Sequence, residues 1–364
     1  MKKLSTFLTW RHWGLIRYNS TWQNVAALFY VGLARKWFGL DFIRDLALFL
    51  LFSLTGTAYG YLVNDLADVE LDRRAGKSNA FHGTSRTQKG LVMAAVSGMM
   101  VVCGLPFVRQ PDFVPLWIAW VLAATFYSLP PLRLKERGAL GLAATIAAQQ
   151  PLPAALAFAA LGHLRTWGAL AFIAYITLRG ISSDVGHQMR DRARDEAAGA
   201  NTFAVRRGHA AIARLYGLGL ELESLLLGAI LVVLMVDLPL IHLGRWSIAL
   251  AWPLLIVYLG LLPLTIGRAW RRLERGEWVD PYDESPQGPP RDLLHLIHHP
   301  FPTVLLPLYL ALWLTLYYWP NAVFGIGLAL LYGLYDPARW AGTWPVRALR
   351  GLLPKTSSDR STNV

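Results

Sequence analysis

The chain has 364 residues, of which 54% are hydrophobic and only 16% are charged, and it contains fifteen tryptophans. This composition excludes an ordinary soluble domain and indicates a polytopic membrane protein. The net charge of +12 suits contact with anionic membrane lipid. Nucleic acid is not an expected partner, because the sequence offers no soluble module that would bind it.

Apolar segments long enough to cross a bilayer recur along the chain, at about 20 residues per crossing. The nine clearest are 22–37, 46–64, 89–108, 112–130, 140–161, 167–187, 211–236, 246–267 and 301–319. A further run at 321–336 is short and follows Pro320, so it is a possible tenth crossing. We therefore predict an all-α, polytopic membrane bundle with nine core transmembrane helices.

Three regions follow from these spans. Residues 1–21 lack an uninterrupted apolar core and a small-residue cleavage site, so they are expected to form an interfacial segment, with Trp10 and Trp13 at headgroup depth. Residues 22–336 form the predicted transmembrane domain. Residues 337–364 are polar at their end and form a cytoplasmic or flexible tail.

The basic residues indicate the orientation of the bundle. Most Lys and Arg residues outside the spans lie at the amino terminus and in the loops after the second, fourth, sixth and eighth spans, whereas the opposite loops hold few. Because cytoplasmic loops retain Lys and Arg, this face is predicted to be cytoplasmic. We expect a multi-pass integral membrane protein whose active site lies on that face.

A first acidic motif, NDLADVELD, follows the second span directly. It contains Asn64, Asp65, Asp68 and Asp72. On a helix the three aspartates share an arc of about 60°, and Asn64 widens that arc to about 100°. Such charges are costly against lipid and suit a polar cavity at the end of the bundle.

A second acidic column follows the sixth span, in ISSDVGHQMRDRARDEAAGANTF. Asp184, Gln188, Asp191 and Asp195 fall within an arc of about 60°, with His187 beside them. Two facing carboxylate columns repel each other unless a cation lies between them, and Mg²⁺ shared with a substrate diphosphate meets that need. Solvated juxtamembrane pairing of Asp with Arg is the alternative interpretation.

A third motif, YSLPPLRLKERG, lies in the loop after the fourth span. Two prolines end the helix and fix an extended exit, which presents three basic side chains and a tyrosine hydroxyl to a diphosphate. Further basic residues follow the first acidic motif. The alternative is that these basic residues only anchor the loop at the membrane surface.

Together these motifs resemble the UbiA superfamily of intramembrane prenyltransferases. NDLADVELD is similar to the first motif of that family, NDxxDxxxD, and Asp191 to Asp195 resembles its second, DxxxD. YSLPPLRLKERG resembles a loop of the chlorophyll synthases and homogentisate-type enzymes. RDRARDEAAGANTFAVRRG is similar to a segment of the dihydroxynaphthoate prenyltransferases.

The resemblance implies nine transmembrane helices around a central cavity and Mg²⁺-dependent transfer of a prenyl group from a prenyl diphosphate to a lipophilic acceptor, foremost an aromatic or quinone precursor. The catalytic residues would be Asp68, Asp191 and His187. The magnesium ligands would be Asn64, Asp65, Asp68, Asp72, Asp191 and Asp195. The diphosphate would be bound by Arg73, Lys77, Tyr127, Arg133, Lys135 and Arg137.

The sequence departs from the patterns of the family in three places. Lys77 is followed by Ser-Asn-Ala instead of the x-x-Arg-Pro found in many members, and Ala200 stands where the naphthoate enzymes have Lys. His187 and Gln188 replace an Asn pair. We expect these two residues to line the acceptor pocket with Asp184, where His187 would either accept the proton lost by the acceptor or support the helix through a hydrogen bond.

Two other functions remain open from the sequence. A membrane terpene cyclase would need the same metal and cavity, and would quench the cation within its own substrate. A transporter or lipid-binding bundle would need polar residues through the depth of the membrane, whereas the acidic residues here gather at one end.

Overall fold

The computed structural model describes residue 10 and residues 12–17, 24–197, 203–243, 245–274 and 297–336. Over these residues the chain is helical apart from one small β-hairpin. The helices are α1 (Trp13–Arg17), α2 (Val25–Ala34), α3 (Leu40–Arg74), α4 (Arg86–Gly104), α5 (Phe113–Ser128), α6 (Ala139–Gln149), α7 (Pro151–Ala160), α8 (Trp167–Ala197), α9 (Phe203–Arg207), α10 (His209–Asp237), α11 (Trp252–Glu274), α12 (Leu306–Tyr317) and α13 (Ala322–Tyr332). The two strands are β1 (Leu240–Leu243) and β2 (Trp246–Ala249).

Four segments are long and apolar enough to cross a membrane. They are Leu40–Arg74, Arg86–Phe107, Ala139–Ala160 and His209–Asp237. The other apolar helices are shorter, and α8 falls outside both groups because its second half carries charged residues. The structure therefore supports a polytopic helical bundle.

Two predicted spans are shorter than expected. The first, 22–37, contains only the ten-residue helix α2 within the described residues. The possible tenth, 321–336, contains the eleven-residue helix α13. At 1.5 Å per residue α13 is about 16 Å long, roughly half the thickness of the hydrocarbon core, so it is not a complete crossing by itself.

The eighth predicted span does not begin as a helix. Residues 246–249 instead form strand β2, which pairs in antiparallel register with β1 from Leu240↔Ala249 to Leu243↔Trp246. The helix α11 begins only at Trp252. The first residues of the predicted span 246–267 were therefore assigned wrongly, because apolar content alone does not distinguish a short strand from the start of a helix.

The fifth predicted span is broken in its middle. Helix α6 ends at Gln149 and α7 begins at Pro151, with Gln150 between them at φ −120° and ψ −83°. Proline cannot donate a backbone hydrogen bond and clashes with the preceding turn, so position 151 interrupts the helix. The side chain of Gln150 packs against Gly180 of α8, where a Cβ atom would overlap Gln150 Cγ.

Helix packing places the broken pair α6 and α7 between the two helices that carry the acidic motifs. Helix α3 packs against α4 and α5, and α8 packs most extensively against α10. Both α6 and α7 contact α5 on one side and α8 on the other. Aromatic side chains fill the core near the other end of α3, where Phe52 contacts Phe49, Phe113 and Trp117.

Several regions named in the sequence analysis lie outside the described residues. They include most of the amino-terminal segment 1–21, Ala200, the greater part of the loop 268–300 and the tail 337–364.

Candidate active site

The first acidic motif presents two different faces of α3. Asn64 and Asp68 lie about 40° apart around the helix, and Asp65 and Asp72 lie about 20° apart on a neighbouring face. The two faces contact different parts of the protein. The motif therefore divides into two pairs, although the sequence pattern treats it as one.

The face of Asn64 and Asp68 meets the loop after α5. Lys135 Nζ donates to Asp68 Oδ2 at 2.5 Å and to Asn64 Oδ1 at 3.2 Å. Arg133 Nη2 lies 3.4 Å from Asp68 Oδ1, and Ser128 Oγ donates to Asn64 Oδ1 at 2.9 Å. The structure thus brings together two acidic-motif residues and two of the basic residues predicted to bind diphosphate.

The backbone of this loop explains how its basic side chains reach α3. Arg133 has φ 41°, a left-handed conformation that is uncommon outside glycine. Gly141, in the first turn of α6, lies so close to the Leu134 carbonyl that a Cβ atom there would overlap it. This close approach holds the turn at 134–136 against the start of α6.

The face of Asp65 and Asp72 supports the structure. Asp65 is fully buried and accepts hydrogen bonds from Trp10 Nε1 at 2.8 Å and from the Ala80 amide at 2.9 Å. His12 Nε2 lies 3.1 Å from its other oxygen. Asn79 Nδ2 donates to Asp72 at 2.9 Å. The oxygens of Asp65 are thus used to hold the amino-terminal segment and the loop after α3.

Trp10 makes a contact that the sequence did not predict, and its depth in the membrane stays a prediction. Its side chain is buried beside Asp65, and only 6% of the residue is exposed. A buried indole N–H needs an acceptor, and the carboxylate of Asp65 supplies one.

Three of the basic residues predicted to bind diphosphate lie elsewhere. Arg73 is exposed, pairs with Glu70 at 3.0 Å, and points about 180° away from Asn64 around α3. Lys77 and Arg137 are also exposed. The structure does not place these three side chains in contact with Asp68, whose basic partners are Lys135 and Arg133.

The second acidic column lies on the last turns of α8. Asp191 pairs with Arg194 at 2.6 Å and is partly exposed, as is Asp195. His187 is exposed, and Gln188 has a buried side-chain oxygen that makes no hydrogen bond. Across the described residues, no three His, Cys, Asp or Glu side chains converge on a point where one metal ion would bind.

A cavity of about 240 Å³ opens beside Asn64. It lies between α3, α5 and the break between α6 and α7. Its lining is mostly apolar, with a few hydroxyl and amide groups, and consists of Thr57, Gly60, Tyr61, Asn64, Trp120, Ala124, Tyr127, Thr145, Ala148, Gln149 and Pro153. Of the predicted site residues, only Asn64 and Tyr127 line it; Asp184, His187 and Gln188 do not.

A second, much smaller space lies farther along α3. It has a volume of about 20 Å³, shares the lining residues Thr57, Trp120 and Pro153 with the cavity, and is also lined by Phe49 and Phe52. The charged cluster of Asp68, Arg133 and Lys135 meets the cavity at Asn64, which accepts a hydrogen bond from Lys135.

The chain is similar to a known family of membrane enzymes. The UbiA prenyltransferase family matches residues 25–281, which is more than half of the chain. The chain belongs to the UbiA prenyltransferase family. A lycopene elongase/hydratase of Halobacterium salinarum is 32% identical over 228 residues, which are 61% of this chain and 76% of that protein. No solved structure matches the chain.

Family membership establishes the chain as a multi-pass membrane enzyme of the prenyltransferase class. The transporter alternative is not supported by this result. The family and the relative also leave the quinone-pathway assignment without support, because the relative is named for lycopene.

Several residues that line the cavity of this UbiA-family enzyme were not predicted from the sequence. Trp120, Thr145 and Gln149 line the cavity, yet each lies inside an apolar span and carries no charge. The Gln-Gln-Pro-Leu-Pro sequence was the available signal, since two prolines and two amides within a membrane span indicate a break that lines a cavity.

A second buried polar cluster lies away from the cavity. Glu223 of α10 is 1% exposed, and its Oε1 is 3.3 Å from His298 Nδ1 and 4.0 Å from Arg179 Nε. Arg179 and His298 are themselves buried, and both lie beside the Glu223 carboxylate.

Proposed function

We propose that this enzyme transfers a prenyl group from a prenyl diphosphate to a carotenoid-type polyene acceptor. Three observations support the proposal: membership of the UbiA prenyltransferase family, the relative named for lycopene, and the mostly apolar cavity beside Asn64. The name of the relative favours a polyene over the aromatic acceptor that the sequence first suggested.

The charged cluster would bind the diphosphate. Lys135 and Arg133 lie within 3.4 Å of Asp68 and can donate to phosphate oxygens. Tyr127 lines the same cavity and lies within electrostatic range of Asp68 and Asp184. These groups would hold the diphosphate beside Asn64 and leave the prenyl chain in the apolar part of the cavity.

Magnesium fits the donor chemistry of the two motifs. Asn64, Asp68, Asp191 and Asp195 offer oxygen ligands that are partly accessible, as Mg²⁺ requires when it shares its coordination with phosphates. We assign Asp65 and Asp72 a structural role instead, because both are buried in contacts with the amino-terminal segment and the 75–85 loop. Bound Mg²⁺ would neutralise charge on the leaving diphosphate.

The reaction then proceeds by electrophilic alkylation. The allylic C–O bond breaks and its electron pair leaves with the diphosphate, toward Lys135 and Arg133. The π electrons of a terminal double bond of the acceptor form the new C–C bond, and the positive charge moves to the acceptor. Loss of a proton to a diphosphate oxygen, or addition of water followed by loss of a proton, completes the reaction.

The orientation and span count of the domain 22–336 are part of the same proposal. We propose nine crossings, the number of apolar segments that the sequence predicts to span the membrane. We place the charged cluster on the cytoplasmic side, because the basic residues are concentrated in the loops of that side.

The test is an assay of purified enzyme with a panel of prenyl diphosphates and either lycopene or a hydroxybenzoate, with products identified by mass spectrometry. We expect prenylated lycopene in Mg²⁺ and none in EDTA. Prenylation of the aromatic compound alone would contradict the acceptor assignment. A cyclic hydrocarbon formed without any acceptor would favour the cyclase alternative.

A further inference from the structure

The break between α6 and α7 lies beside the cavity and lacks two of the backbone N–H donors that a continuous helix would have. In a continuous helix residue 151 would donate to the Ala147 carbonyl and residue 153 to the carbonyl of residue 149. Both positions are proline and have no N–H to donate. The break therefore keeps the acceptors of one helix end and loses two donors of the next.

Residues on both sides of the break line the cavity: Ala148 and Gln149 at the end of α6, and Pro153 in α7. Trp120, which also lines the cavity, donates from Nε1 to the Ala148 carbonyl at 2.8 Å. Gln149 Nε2 donates to Thr145 Oγ1 at 3.2 Å, and both residues belong to the cavity lining. The lining beside the break thus includes hydroxyl, amide and backbone carbonyl groups and an indole ring.

The cavity begins beside the charged cluster and extends along α5. Asn64 accepts a hydrogen bond from Lys135 and lines the cavity, as do Tyr127 and Trp120, which lie about 10 Å apart along α5. The residues at the break line the same cavity. Under the proposed function, a positive charge that forms on the prenyl group and then moves to the acceptor would lie within this cavity.

We propose that the oxygen atoms of the α6–α7 break stabilise the carbocations of the transfer reaction, with Gln149 as a further catalytic residue. This inference rests on the proposed function. Electron-rich oxygens fixed in a low-dielectric cavity lower the energy of a cation without having to reorganise. They form no covalent bond, and the proton and electron balance of the reaction is unchanged.

The experiment measures binding of a stable cation mimic. The probes are a prenyl trimethylammonium and its neutral tert-butyl analogue, each titrated by calorimetry into the full-length enzyme with Mg²⁺ and inorganic diphosphate present. Wild-type enzyme is expected to prefer the cation. Gln149→Leu, which keeps the shape of the wall, and Pro151→Ala, which restores a donor to Ala147, should each lower that preference about threefold to tenfold.

Pro263→Ala is the control, because Pro263 is also a proline within an apolar helical segment but does not line this cavity. Its preference for the cation should equal that of the wild type. Equal preferences in wild type, Gln149→Leu and Pro151→Ala would overturn the proposal, as would an equal loss in the control.

The same titrations separate this inference from the proposed function. If wild-type enzyme prenylates lycopene but the variants keep its cation preference, only the role of the break is wrong. If the variants lose the preference while no polyene is prenylated, the cation site stands and the acceptor assignment fails.

Discussion

Asp65 and Asp68 lie within one turn of α3, yet their carboxylates contact different parts of the protein. Asp65 accepts from the indole of Trp10 and a backbone amide and is fully buried. Asp68 meets the side chains of Lys135 and Arg133, and 13% of its side chain is exposed. The first carboxylate holds parts of the fold together, and the second belongs to a cluster that can exchange partners with a ligand.

This contrast predicts opposite effects for two identical substitutions. Asp65→Asn would turn an NH₂ group toward buried donors, so we expect a loss of about 1–3 kcal/mol of stability and a lower unfolding temperature. Asp68→Asn should reduce prenyl transfer at least about a hundredfold and leave the unfolding temperature almost unchanged. Thermal unfolding in detergent and product assays check both. Equal loss of activity without loss of stability in Asp65→Asn would place that residue in the active site.

The basic loop gives a second matched pair. Lys135→Met removes the donor closest to Asp68, and we expect the KM for prenyl diphosphate to rise about tenfold or more, because hydrogen bonds to charged groups are strong. Arg137→Met, on the exposed side of the same loop, should change this KM less than about twofold. Steady-state kinetics at saturating acceptor distinguish the two. A larger effect at Arg137 would mean that the loop binds diphosphate by its other side.

Gly180 provides a test of the helix break. A Cβ atom at this position would overlap Gln150, so Gly180→Ala should force the break away from α8 and cost about 1–3 kcal/mol. We expect lower activity together with a lower unfolding temperature. Gly98→Ala in α4 is the control, since no atom lies within 4 Å of a Cβ there. If both variants unfold at the wild-type temperature, the close contact of Gln150 with α8 is not important for stability.

The buried cluster around Glu223 gives a fourth prediction. Removing one partner of a buried ion pair leaves the others uncompensated, so Glu223→Ala should cost about 3–5 kcal/mol. Glu221→Ala, two residues away on another face of α10, should cost much less. Unfolding by denaturant in micelles measures both. Similar small losses would show that His298 and Arg179 find other partners easily.

The sequence predicted the parts of the fold that depend on composition and local pattern. The acidic motifs, the prolines after α5 and most long apolar helices could be located in this way. Asp68 and Lys135 were both predicted to belong to one metal and diphosphate site, and the structure places the two side chains in contact. The family resemblance was confirmed by the match over residues 25–281.

Other features depend on tertiary contacts that a single chain pattern does not encode. The helical arc of the first motif includes Asp65, Asp68 and Asp72 equally, and only the contacts of Trp10 and Asn79 separate them. Strand β2 has the apolar character of a span, and its pairing with β1 decides its conformation. The cavity wall at Thr145 and Gln149 was overlooked because it is built from uncharged residues.

The length of α3 has a consequence for what happens after each turnover. Its 35 residues extend about 52 Å, whereas the hydrocarbon core is about 30 Å thick. Under the proposed orientation, one continuous helix would link water near Asp68 to the depth of the membrane on the side of Phe49. The two products would separate without a transport step: diphosphate dissolves in water at one end, and the enlarged hydrocarbon diffuses into the bilayer. Their dilution into different phases would make the reverse reaction rare.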